Sequence, residues 1–209
     1  MRAKAQKNNL GQGLLETIVA LGIIVSGVVG MVSLTLSNQI SSADSSERLI
    51  AANLAREGVE VARNIRDTNW LACEIAGGVL GCNDWDEGLT SVSDPTAVLL
   101  FDVDNNAWSL DFTPNDISHD YARIWRRTSG SAALVGAHFQ SAEAAPVDSV
   151  LTSYRRLLSL YEICADKTPS VNCPPINPKI GIRVQSNVQW ETQGKVNELT
   201  FEERLFNWR

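Results

Sequence analysis

Glu16 is the first residue whose chemistry calls for an explanation. It stands at the front of a run without charge, since no Asp, Glu, Lys or Arg occurs from Thr17 to Ala43. A carboxylate deep in a bilayer costs about 2.5–3.5 kcal/mol on insertion scales, so an acid kept there needs a partner. Among headgroups the cost falls, and the same acid would be a bystander. Gly11 lies five positions before Glu16 and comes after the basic residues Arg2, Lys4 and Lys7. The four cysteines form a second candidate set, with Cys73 and Cys82 nine apart and Cys164 and Cys173 also nine apart. Sequence permits three pairings. The local pairs Cys73–Cys82 and Cys164–Cys173 are expected, because each closes a short polar loop. The rival states are a zinc site, which the absence of any C-x-x-C spacing disfavours, and buried free thiols.

The remaining polar groups give weaker signals. His119 and His138 are the only histidines, and both fall in loop-like stretches. Asp84, Asp86 and Glu87 cluster, and a solvated loop is expected there. Asp102, Asp104 and Asn106 start like a calcium loop. Ala107 takes the place of its glycine and Thr113 that of its closing glutamate, so a hairpin tip is expected instead. Gly11-Gln12-Gly13 lacks the rest of a phosphate-binding fingerprint, and no strand precedes it. No serine or cysteine sits in a nucleophile motif. The reading is therefore of a protein that is not an enzyme, with no catalytic residue, metal site or cofactor. The six tryptophans are expected in the core, with exposure of Trp85 or Trp108 as the sign of a binding surface.

The uncharged run itself must position Glu16. It exceeds the roughly 20 apolar residues that a helix needs to cross the hydrocarbon core. A bilayer span has to be helical, because its backbone finds no water to bond. Arg2, Lys4 and Lys7 precede the run while Asp44 and Glu47 succeed it, which puts the N-terminus in the cytoplasm and the rest outside. Gly22, Ser26, Gly27 and Gly30 would let another helix approach closely. The formal charge of −6 argues against a basic nucleic-acid-binding face. Loss of the three leading cations would deepen it.

The order of a basic leader, Gly11, Gln-Gly-Leu-Leu-Glu ending at Glu16, and an uncharged helix resembles the signal of type IV pilins and type II secretion pseudopilins. That resemblance implies cleavage between Gly11 and Gln12 by a prepilin peptidase, with N-methylation at Gln12. It implies that Glu16, then the fifth residue, pairs with the N-terminal amine of a neighbouring subunit. The implied partners are the peptidase, homologous subunits, the membrane, and an inner-membrane assembly platform with its ATPase. Two features depart from the pattern. The family most often has Phe or Met where this chain has Gln12. It also often carries a mid-helix proline, whereas the first proline here is Pro95, so any loosening would rest on Gly27, Gly30 and Ser33.

The expected organisation is a leader over 1–11, a membrane-spanning half-helix over 12–36, an amphipathic half over 37–70 and a β-rich head over 71–209. The amphipathic half shows Ile50, Leu54, Val61 and Ile65 on one face with Ala51, Ala55 and Ala62 beside them. Glu47, Arg56, Glu57, Glu60, Arg63 and Arg66 are expected elsewhere. The serine-rich SNQISSADSS is a weak helix former and a candidate bend. Leu71 to Thr96 reads as loop. Strands are expected at 97–101, 107–112, 121–127 and 154–164. An exposed loop is expected at 128–146, and a proline-rich loop without regular structure at 165–178.

The clearest strand alternates Ile180, Ile182, Val184, Val188 and Trp190 with polar residues, and Ser186 interrupts its apolar face. A turn at Thr192-Gln193-Gly194 returns it through Leu199, Phe201 and Leu205. The fold class is α+β, a long N-terminal helix packed on a C-terminal antiparallel sheet, as the resemblance also implies. Two functions are compatible with these features. One is a structural subunit of an extracytoplasmic type IV pilus-like filament. The other is a monomeric, membrane-anchored extracellular binding module. A mature N-terminus at Gln12 separates them.

Overall fold

The computed structural model describes residues 10–75, 85–102, 105, 107–130, 134–143 and 145–207. The fold is α+β. One helix, α1 (Leu10–Ile75), precedes eight strands: β1 (Thr96–Asp102), β2 (Ala107–Asp111), β3 (Arg123–Arg127), β4 (His138–Phe139), β5 (Ser149–Cys164), β6 (Pro169–Ser170), β7 (Lys179–Thr192) and β8 (Lys195–Phe206). The chain divides into two compact units between Glu47 and Arg48.

α1 runs through the serine-rich stretch without a break and ends later than expected, at Ile75. Its last turns have tertiary support that periodicity cannot report. The Asn69 side-chain amide donates to the Trp85 and Glu87 carbonyls at 3.3 and 2.9 Å. The start of the expected loop at Leu71 is therefore helical.

Every strand pairing is antiparallel. β5 is the central strand. One edge pairs with β7 from Tyr154 to Cys164, while the other edge pairs in turn with β3, β1 and β6. β7 and β8 form the longest hairpin, closed at Thr192 and Lys195. Its two-residue loop, Gln193-Gly194, has φ values of 52° and 75°. Both are left-handed, as a type I′ turn requires, and Gly194 takes that conformation without a Cβ penalty.

The helix face from Ala51 to Ala62 buries itself against the sheet. Val59, Val61 and Ala62 join Trp85, Leu89, Leu99, Leu158, Leu160, Ile182, Val184 and Leu205 in the main core. Ala51, Leu54 and Ala55 pack with Ile124, Tyr154, Val188 and Trp190. Val98, Ala122 and Leu157 form a small cluster with Leu100, Ile117 and Tyr121. β1 thus sends Ala97 and Leu99 to one cluster and Val98 to another, the period-two consequence of a pleated strand.

Several expectations are corrected. Arg66 is buried rather than on the outer helix face, and its guanidinium bonds Asp67. Residues 120–122 form a 3-10 turn ahead of β3, with His119 Nδ1 accepting the Tyr121 amide proton. The stretch 128–146 contains β4 and the buried Gln140. The proline-rich loop contains β6, because β5 offers unpaired backbone groups beside it. In β8, Leu205 is buried and Leu199 half-buried, but Phe201 is exposed.

Candidate functional site

The N-terminal unit carries the first candidate. Gly11 and Gln12 fall in the first turn of α1, and nothing of their side chains is described. Glu16 is exposed and has no hydrogen-bond or ion-pair partner among the described residues. The large apolar side chains from Leu14 to Leu36 are all between 53% and 70% exposed. The helix is long and apolar enough to cross a membrane. A contiguous apolar surface of this kind marks a membrane or protein contact. Removing each such side chain from water stabilises by about 1.5–3 kcal/mol.

Three of the four hydroxyls between Leu14 and Leu36 are satisfied along the helix, Ser33 being the exception. Thr17 donates to the Leu14 carbonyl at 2.8 Å, Ser26 to Ile23 at 2.9 Å and Thr35 to Met31 at 2.9 Å. Such local bonds let hydroxyls enter an apolar phase without an unmet group. The Glu16 carboxylate is the one ionisable group from Gly13 to Leu36, and it has no partner among the described residues.

The cysteines divide as far as the described residues allow. Cys164 and Cys173 are joined. Cys73 is disulfide-bonded, and its expected partner Cys82 lies outside the described residues. The Cys164–Cys173 bridge sits beside an ion-pair cluster. The Cys173 amide donates to Glu162 at 2.7 Å, and the Lys179 ammonium bridges Glu162, at 3.1 Å, and Asp86. Asp86 is buried, which corrects the expectation of a solvated acidic loop. Glu87 is exposed as expected, and Asp84 lies outside the described residues. Burial lowers the Lys179 pKa, but Asp86 and then Glu162 outweigh it and hold the ammonium above its ordinary value.

Asp102 accepts from the Asn105 amide at 3.1 Å and its side chain at 2.6 Å, a turn-closing role. Asp104 and Asn106, the other members of the calcium-like run, lie outside the described residues. Trp85 is buried.

The compact head carries a second candidate that no sequence pattern announced. A pocket of about 360 Å³ is lined by Phe101, Trp108, Phe139, Leu134, Ala137, Arg127, His138, Glu57 and Gln140. Phe101 and Trp108 face each other across the β1–β2 hairpin with ring centroids 4.8 Å apart. The Arg127 guanidinium lies over the Phe139 ring at 5.3 Å. A second depression, lined by Ile50, Asn53, Leu54, Glu57, Ala137 and His138, shares three residues with the first, so the two adjoin as a groove.

The groove rests on a buried polar hub. Arg156 of β5 is 1% exposed and donates to Gln140 Oε1 at 3.0 Å, to the Leu54 carbonyl at 3.0 Å and to Glu57 at 2.9 Å. Burial pulls its pKa below the ordinary value and Glu57 opposes this. Gln140 in turn donates to the Ala122 and Arg156 carbonyls at 3.2 and 2.8 Å and accepts from the Leu99 amide at 3.3 Å. His138 of β4 is half-buried, and burial, then Arg126, lowers its pKa, so the imidazole is neutral at neutral pH. The only hint in the sequence is Trp108, a tryptophan whose exposure would signal a binding surface; it is half-buried and packs against the main core.

No protein-family model, curated protein or solved structure matches this chain.

Proposed function

We propose that the chain is a structural subunit, a pilin, minor pilin or pseudopilin, of an extracytoplasmic type IV pilus-like filament. Its helix spans the cytoplasmic membrane with the N-terminus inside until a prepilin peptidase cuts between Gly11 and Gln12. The platform and its ATPase then move the subunit into the filament. The observation that carries this reading is Glu16, a carboxylate unpartnered among the described residues, on a helix whose other side chains from Gly13 to Leu36 are uncharged and mostly apolar. Cleavage creates an α-amine at the end of that helix. In a low dielectric the amine and a neighbour's Glu16 each relieve the other's unpaired charge. A head-to-tail contact with an axial offset favours an open helical filament over a closed ring.

The test is intact-mass measurement of protein recovered from its own host. The expected mass is that of the chain from Gln12 onward, with one methyl group added. Retention of Met1 through Gly11 on exported molecules would overturn the reading and leave the tethered binding module.

A further inference from the structure

The aromatic groove of the head is not accounted for by polymerisation. Its volume, about 360 Å³ at the aromatic end, lies in the range of small-molecule sites. Three aromatic side chains, Phe101, Trp108 and Phe139, present ring surface to it. The Glu57 carboxylate is held by Arg156 at 2.9 Å, which offsets its charge, and the Arg127 guanidinium lies over the Phe139 ring at 5.3 Å.

Four polar groups are left for a ligand: Glu57 Oε1, since Arg156 engages Oε2, the His138 imidazole, the Asn53 amide and the Arg127 guanidinium. None of the four has a hydrogen-bond partner among the described residues. Gln140 is saturated by its bonds to Leu99, Arg156, Ala122 and Tyr121.

Aromatic rings, with Phe101 and Trp108 tilted by 52°, beside hydrogen-bond donors and acceptors suit a ring that is apolar on its face and hydroxylated at its edge. We propose that this groove binds a neutral carbohydrate. A sugar ring stacks against Trp108 and Phe101, its hydroxyls bond Glu57 and His138, and the chain continues along the depression beside Ile50 and Asn53. The aromatic rings favour the polarised C–H face of the sugar through their negative quadrupole. The Arg156–Gln140 hub holds Glu57 in place and so acts on the ligand only through it.

The experiment uses the full chain in lipid nanodiscs, which avoids sugar-based detergents. Saturation-transfer NMR is run against cellotriose, maltotriose, chitotriose and galactobiose, beside a uronic-acid oligomer and a glucosamine oligomer as charged probes. A neutral member is expected to bind with a dissociation constant on the order of 0.1–10 mM. Trp108→Ala should weaken it at least tenfold, and His138→Ala about threefold to tenfold. His138→Ala is the safeguard, because its side chain makes no hydrogen bond that folding would miss. The proposal is overturned if no neutral probe binds, if a charged probe binds more tightly, or if binding survives both variants unchanged. None of these outcomes bears on cleavage after Gly11, so this inference and the filament reading fail separately.

Discussion

Gly58 of α1 lies against Ser186 of β7 so closely that a Cβ built on the glycine would stand 3.0 Å from the Ser186 Cβ and 3.5 Å from Leu158 Cδ1. The contact explains why a serine interrupts the apolar face of β7, where Ile182, Val184, Val188 and Trp190 are all buried. The position selects for size rather than polarity. The Ser186 hydroxyl is buried without a partner among the described residues.

Gly58→Ala should therefore lower the stability of the head by about 1–3 kcal/mol, the cost of overpacking a rigid contact. Ser186→Gly should recover part of that loss, giving a coupling energy in a double-mutant cycle that separate sites would lack. Ser186→Ala alone should stabilise by about 1 kcal/mol, since it removes an unsatisfied hydroxyl. Denaturant unfolding of Gly58→Ala, Ser186→Gly, their double variant and Ser186→Ala checks all of this, and additivity between Gly58→Ala and Ser186→Gly would refute the contact.

Arg156 and Glu57 should behave as a unit. Arg156→Met removes the cation held by Glu57 and the guanidinium donors to Gln140 Oε1 and the Leu54 carbonyl, and Glu57→Gln leaves a buried guanidinium without its counter-charge. Either change should cost about 3–5 kcal/mol. The double variant should cost less than the two summed. Thermal melts of the single and double variants measure this, and additive losses would show that the pair is not coupled.

Lys179→Met should destabilise by about 3 kcal/mol at pH 7, because Asp86 and Glu162 are left as adjacent, largely buried carboxylates. The sign with pH is diagnostic. In the parent, the raised Lys179 pKa contributes stability that is fully present below about pH 10.5 and is lost as pH rises through the higher folded value. In the variant, stability should instead recover as pH falls toward 4 and the stranded carboxylates take protons. A variant whose deficit is the same at pH 4 and pH 7 would contradict the assignment.

Asp166 supplies an acid-side test. Hydrogen bonding with the Asn177 side chain, then with the Thr168 hydroxyl and amide, holds its carboxyl at about 2, below the ordinary 3.8. A depressed folded pKa contributes stability present above the unfolded value and lost as pH falls through the folded one. The difference in Tm between parent and Asp166→Ala should be constant above pH 4 and should shrink between pH 4 and 2. A difference that persists at pH 2 would assign the effect to packing.

Glu16→Ala should leave membrane insertion unchanged and reduce filament assembly by tenfold or more, read as sheared surface filaments against total membrane protein. Insertion depends on the apolar run, which the substitution lengthens, whereas assembly in the proposed mechanism needs the carboxylate. Normal filament yield from this variant would remove Glu16 from that role.

The long elements were legible in the sequence, because each depends on neighbours close along the chain. A proline-free stretch, uncharged from Thr17 to Ala43 and amphipathic beyond it, dictates α1. Alternation from Ile180 to Trp190 with Gln193-Gly194 dictates the β7–β8 hairpin. Nine-residue spacing foretold the Cys164–Cys173 bridge. The buried charges were not legible. Arg156 meets Glu57 across 99 residues and Lys179 meets Asp86 across 93, so local patterning placed Asp86 and Arg66 in solvent. Whether a charged side chain is buried depends on a partner that only the packed helix and sheet bring to it, since an isolated charge would be expelled. The two-residue strands β4 and β6 exist only because β3 and β5 leave backbone groups open beside them. The groove is likewise set by tertiary structure: its aromatic walls come from β1, β2 and β4 and its carboxylate from α1, and no stretch of sequence holds them together.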